Sequence, residues 1–175
     1  MNKKIVLITL IVISLMFTVI GCTKSKNREI DISNYKSMVE VSLSSGPDFI
    51  IVIDKKDKIS NIEFLNKDSL VLNDIDIMDK SLSDGILTFM EKLWNDKYFD
   101  NEVSIKLICY DDKDNSDLIY QELNKSLVIL GIKDNILREN SSFDELSKKL
   151  DIDYNDDKTF LKDLGEYSRK IISSR

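Results

Sequence analysis

The only proline of this 175-residue chain, Pro47, follows Gly46, one of five glycines, and the pair stands between two apolar runs. Glycine reaches positive φ and proline fixes its own, so Gly46-Pro47 is the strongest break in the sequence and predicts a hairpin turn. Tyr35 to Leu43 alternates, with Tyr35, Val39, Val41 and Leu43 on one face and Lys36, Glu40 and Ser42 on the other, the pattern of a half-buried strand. Phe49 to Ile53 is apolar without a break, which predicts a central strand. Lys55-Lys56-Asp57-Lys58 makes a polar turn, and Ile59 to Leu65 returns as a third strand with Ile62 and Phe64 sharing a face. The three strands make a meander.

Helical spacing begins later. Leu82, Ile86, Phe89, Met90 and Leu93 recur at helical intervals, with Ser81 available as N-cap and Asp84 in the first turn. Val103 to Tyr110 reads as a strand whose inward face is Val103, Ile105, Leu107 and Cys109. Asp111 to Ser116 is an acidic loop, and Asp117 to Leu130 a second helix stopped by Gly131. Ile132 to Leu137 is a short strand. Ser142-Phe143-Asp144-Glu145 has the capping-box form and opens a third helix ending near Leu150. A fourth runs from about Asp157 to Ser173, with Phe160, Leu164, Tyr167 and Ile171 in register. The order β-β-β-α-β-α-β-α-α predicts an α+β fold, an antiparallel or mixed sheet of four to five strands with helices packed on one face. Residues 35–175 make one domain.

The N-terminus sets the location. Met1-Asn2-Lys3-Lys4 is a positive n-region, and Ile5 to Ile20 is an apolar run broken only by Thr9, Ser14 and Thr18. It ends in Val19-Ile20-Gly21-Cys22, which resembles the lipobox of bacterial lipoproteins. On that reading residues 1–21 are a signal peptide, Cys22 carries a diacylglyceryl group, and polar residues 22–34 are a tether. The chain is then expected at the cell membrane, lipid-anchored and facing outside the cytoplasm. Beyond the signal the chain has 23 basic and 31 acidic residues, a net charge of −8. A domain so acidic, with no basic cluster, is a poor partner for nucleic acid. With no histidine, Ser-His-Asp and Cys-His catalysis and ordinary zinc sites are excluded. Cys109 is left as an unreactive core thiol.

The succession VEVSLSSGPDFIIVIDKKDKISNIEFLNKDS, then MDKSLSDGILTFMEKLWNDKYFDNEVSIKL, resembles the extracytoplasmic middle domain of RsgI-like anti-sigma factors. The matching positions are Val41, Ser42, Leu43, Pro47, Phe49, the turn Asp54 to Ile59, Leu65-Asn66-Lys67-Asp68 and Asp79-Lys80-Ser81-Leu82, and the resemblance covers roughly residues 35–135. It implies a SEA-like domain. Many members are thought to cleave themselves at an Asn-Pro bond, the asparagine side chain closing a succinimide and expelling the proline nitrogen. Here the asparagine position is Gly46, which has no side chain to attack with. The SEA route needs a serine hydroxyl after glycine, where this chain has Pro47; Ser44 and Ser45 precede the bond. The loop Ser44-Ser45-Gly46-Pro47 is therefore a degenerate cleavage loop. An anti-sigma factor of this type also carries a cytoplasmic domain before its membrane helix, and only four residues precede the apolar segment here.

Three other patterns carry less. Asp151-Ile152-Asp153-Tyr154-Asn155 imitates an EF-hand start, but Asp156 and Lys162 occupy the positions that need glycine and glutamate. Asp111, Asp112, Asp114 and Asp117 lack a fixed ligand geometry. Trp94 and Tyr98, near Phe99, are candidates for a binding surface, although aromatics at such a turn usually close a core. The expectation is a non-enzymatic lipoprotein without cofactor or metal, whose domain binds an envelope protein, with the free edge of its sheet as the site for strand addition. The alternatives are an autoproteolytic sensor cutting at Gly46-Pro47 and a small-molecule or glycan binder using Trp94 and Tyr98.

Overall fold

A computed structural model describes residues 29–78, 80–110 and 113–174, with side chains of 113–116 excepted. Five strands, β1 (Tyr35–Leu43), β2 (Asp48–Asp54), β3 (Ile59–Phe64), β4 (Glu102–Tyr110) and β5 (Lys133–Ser141), form one sheet in the order β3-β2-β1-β4-β5. The first three strands are the expected meander, and β4 joins β1 antiparallel, so four strands alternate in direction. β5 then pairs parallel to β4. A parallel neighbour requires a crossover, which helix α2 (Lys113–Leu130) supplies. The remaining helices are α1 (Leu82–Asn95), α3 (Phe143–Leu150) and α4 (Asp157–Ser173). The fold is α+β with a mixed sheet.

Helices cover both faces of the sheet, not one. Val39, Val41, Phe49, Ile51, Ile53, Ile105 and Leu107 point into a first core with Ile86, Phe89 and Met90 of α1 and Ile119, Leu123 and Leu127 of α2. The alternate residues Met38, Ile50, Val52 and Tyr110 meet Phe143, Leu146 and Leu150 of α3 and Phe160, Leu161 and Leu164 of α4 in a second core. The run Phe49 to Ile53 is apolar throughout because both its faces are buried. β1 is likewise no half-buried strand: it is the middle strand, and its Glu40 is only 1% exposed. Of the polar residues in its alternation, Glu40 lies under α3, while Lys36 pairs with Asp57 at 2.7 Å near solvent.

Local signals set the helix ends. Asp84 N donates to Ser81 Oγ and Glu145 N to Ser142 Oγ, as the two cap motifs predict. Gly131, at φ +70°, ends α2, with Ile132 N donating to Leu127 O at 2.9 Å. The EF-like acidic stretch is helix punctuation. Asp151 takes the left-handed conformation after α3, and Asp156 caps α4 by accepting from Thr159 N at 2.9 Å.

Three boundaries differ from expectation. Ile30, assigned to the tether, is buried in the second core, and Asn34 Nδ2 donates to Asp54 Oδ2, so the folded unit begins before residue 35. α2 starts at Lys113 rather than Asp117, taking in residues read as an acidic loop. β5 runs to Ser141, four residues past Leu137, because its charged residues continue the ladder with β4. Residues 1–28, including Cys22 and the signal segment, and Asp79, Asp111 and Asp112 lie outside the described residues.

Candidate functional site

The Gly46-Pro47 loop joins β1 to β2, with Gly46 N donating to Leu43 O at 3.1 Å and Leu43 N to Pro47 O at 2.9 Å. Gly46 has φ +131°, which only glycine adopts readily. Its carbonyl accepts from Asn66 Nδ2 at 2.5 Å, and a Cβ added there would stand 2.8 Å from Asp68 Oδ2. The Asn66 amide thus holds the peptide while Asp68 fills the space a side chain would need. Ser44 and Ser45 are exposed, and Pro47 is buried. Putting the family's cleavage residue back, as Gly46→Asn, is expected to destabilise the domain by about 1–2 kcal/mol and to leave the chain whole. A melting curve and the intact mass after days at neutral pH test this; two fragments meeting at the 46–47 bond contradict it.

The two aromatics differ in their surroundings. Trp94, near the end of α1, is 41% exposed, while Tyr98 packs on the first core, donating its hydroxyl to Asp68 O at 3.4 Å. Phe99 is buried in that core. Core closure therefore accounts for Tyr98 and Phe99 and leaves Trp94 by itself on the surface.

A concave site lies instead on the second face, where α3 and α4 do not reach. A groove of about 220 Å³ is lined by Ser42, Ser44, Ser104, Lys106, Asn135 and Leu137 among others. The parallel register sets Ser104 beside Asn135 and Lys106 beside Leu137, so the groove floor is the β4-β5 ladder and one wall is the end of β1. Leu137 is 59% exposed. Along β5 every residue is exposed or half-buried, and among the described residues no backbone hydrogen bond reaches its outer edge. The opposite edge is closed: Phe64 N of β3 donates to Ser168 Oγ of α4 at 2.9 Å.

Beside the groove lies a buried charged cluster. Lys149 Nζ, at the end of α3, donates to Glu40 Oε1 at 2.6 Å and Asp48 Oδ2 at 3.2 Å, and Tyr110 OH donates to Glu40 Oε2 at 2.6 Å. Ser42 Oγ lies 3.0 Å from Glu40 Oε1 and 2.7 Å from Asp48 Oδ1. The Ser42 hydroxyl therefore sits as a donor between the two carboxylates, closer to Asp48. Burial, then the charge of Glu40, pushes the Asp48 carboxyl up, against the opposing pull of Ser42 and Lys149. Burial and Glu40 also push the Tyr110 phenol up, and the Glu40 and Asp48 carboxylates raise the Lys149 ammonium against its own burial. The cluster ties α3 to the sheet and fixes Ser42 at the groove wall.

Neither the groove nor the cluster was found from sequence, because Glu40 and Lys149 are 109 positions apart and belong to elements read separately. A free sheet edge is expected from the sequence without assignment to a strand, and the structure makes β5 an edge strand. Among the described residues no helix is long and apolar enough to cross a membrane. No protein-family model and no curated protein matches the sequence.

Proposed function

We propose that the chain is a non-enzymatic lipoprotein, held at the membrane by Cys22, whose domain binds protein outside the cytoplasm through the β5 edge and the adjoining groove. The observation that carries this is the asymmetry of the sheet: α4 covers β3, whereas the nine residues of β5 offer a row of backbone donors and acceptors beside an apolar hollow. An exposed edge accepts an added strand, with main-chain hydrogen bonds giving affinity and side-chain pockets giving selectivity. The lipobox-like Val19-Ile20-Gly21-Cys22 supports the anchor.

Two measurements test the two halves. Mass spectrometry of the chain taken from membranes is expected to find an N-terminal Cys22 bearing diacylglycerol; a chain still beginning at Met1 overturns the anchor. A photoreactive benzoylphenylalanine at Leu137 is expected to give protein adducts in the intact envelope, while the same probe at exposed Glu91 on α1 gives none. Equal labelling from both positions overturns the binding edge.

A further inference from the structure

The charges along β5 are arranged to fit their own mirror order. From Lys133 the strand reads Lys-Asp-Asn-Ile-Leu-Arg-Glu, opposite signs standing at equal distances on either side of Ile136. In an antiparallel ladder two facing residues both turn their N–H and C=O toward each other or both away. When a strand pairs with its own copy, the two-fold axis must therefore pass through a residue, never between two. Axes through Asn135 or Leu137 leave every charge of the strand opposite a neutral residue, apart from contacts beyond the strand ends, and an axis through Arg138 sets that cation against its own copy. Only the axis through Ile136 sets Lys133 against Glu139 and Asp134 against Arg138, and symmetry repeats both pairs.

We propose that β5 pairs antiparallel with β5 of a second copy of this chain about a two-fold axis through Ile136, joining two five-stranded sheets into one. This rests on reading β5 as a binding edge and names what binds there. The flanks agree with it. On the second face, Glu139 already meets Lys106 at 2.8 Å and gains Lys133 of the second copy, while Leu137 faces Asn135 of the second copy across the ladder. On the first face, Arg138 lies over the Tyr120 ring, its carbon 5.0 Å from the centroid, and bonds Asp117; it gains Asp134 of the second copy. Val128, 77% exposed, stands two helical turns beyond Tyr120 on the same stripe of α2, and the axis brings that stripe toward its own copy. Among the described residues neither Lys133 nor Asp134 has an ion-pair partner in its own chain, so the pairing completes charges that the monomer leaves in solvent.

The register makes a sharp test in the full chain in its own membranes. An axial residue faces itself at about 4.5–5.5 Å between Cα atoms, within disulfide reach. Ile136→Cys is expected to give a disulfide dimer on mild oxidation, in excess of the unsubstituted chain. Asn140→Cys, whose two copies would stand roughly 27 Å apart along the strands, gives none. Adding Lys133→Glu and Asp134→Lys to Ile136→Cys turns all four attractive pairs repulsive and is expected to lower the dimer yield about tenfold or more. No excess dimer from Ile136→Cys, an equal yield from Asn140→Cys, or a yield indifferent to the charge reversal overturns the proposal. The Leu137 photoprobe separates this from the wider reading. Adducts of twice the chain mass support the second copy; adducts of other masses alone overturn it and leave β5 as a binding edge; no adduct overturns both.

Discussion

Glu63→Gln is expected to remove about 10 °C of the change in melting temperature that the unsubstituted domain shows between about pH 5 and pH 8. Glu63 is 1% exposed between β3 and α4. Its Oε1 accepts from Asn61 Nδ2 at 2.6 Å, and its Oε2 has no hydrogen-bond partner. Burial pushes the carboxyl up to about 7, against the opposing pull of Ser168, Arg169 and Asn61. An acid raised in the folded state keeps its proton there after the unfolded chain has lost it. The folded form is therefore favoured most below pH 4.5, and that advantage is lost as pH rises to about 7. Over that span the difference is about 3 kcal/mol, or roughly 10 °C for a domain of this size. Glutamine keeps the acceptor for Asn61 and removes the charge. Comparing the two melting curves cancels the other carboxylates, including Asp48, which Glu63→Gln leaves in place. Parallel curves would sink the assignment.

The location of that acid shows what the sequence disclosed and what it withheld. Strand and helix order, the Ser81 and Ser142 caps and the inward face of β4 were legible because each depends on residues within a turn or two of one another. Which side each helix covers was not. Both α1 and α4 show one apolar stripe, and a stripe does not say which face of a sheet it meets. The decisive clue was the run Phe49 to Ile53, which needs cover on both sides, yet Glu40 and Lys36 beside it in β1 read as a solvent face. Glu40 is buried all the same, because a lysine near the end of α3 reaches it. Polar residues that pair across long sequence separations thus disguise a buried strand as an exposed one. The same limit hid the groove, whose lining comes from β1, β4, β5 and the loop after β1.

That long-range pair is where the largest loss on substitution is expected. Lys149→Met is predicted to cost about 3 kcal/mol, because it leaves the Glu40 carboxylate buried without its counter-charge. Lys149 is itself 43% exposed at the side chain, so its own desolvation is partial and the cost comes from the stranded acid. Tyr110 and Ser42 still donate to Glu40, but neither carries charge. Glu40→Gln alone is expected to cost less, since Lys149 keeps Asp48 and reaches water. The double variant Lys149→Met, Glu40→Gln is therefore expected to regain part of what Lys149→Met loses, a coupling of about 1.5 kcal/mol or more between residues on different elements. Denaturant unfolding of the four forms measures it. Additive losses would mean that α3 is held by Phe143, Leu146 and Leu150 alone and that the charged cluster is incidental to its docking. A clear coupling would make Lys149 the tie that sets α3 over β1 and β2, leaving the β4-β5 end of that face open as the groove.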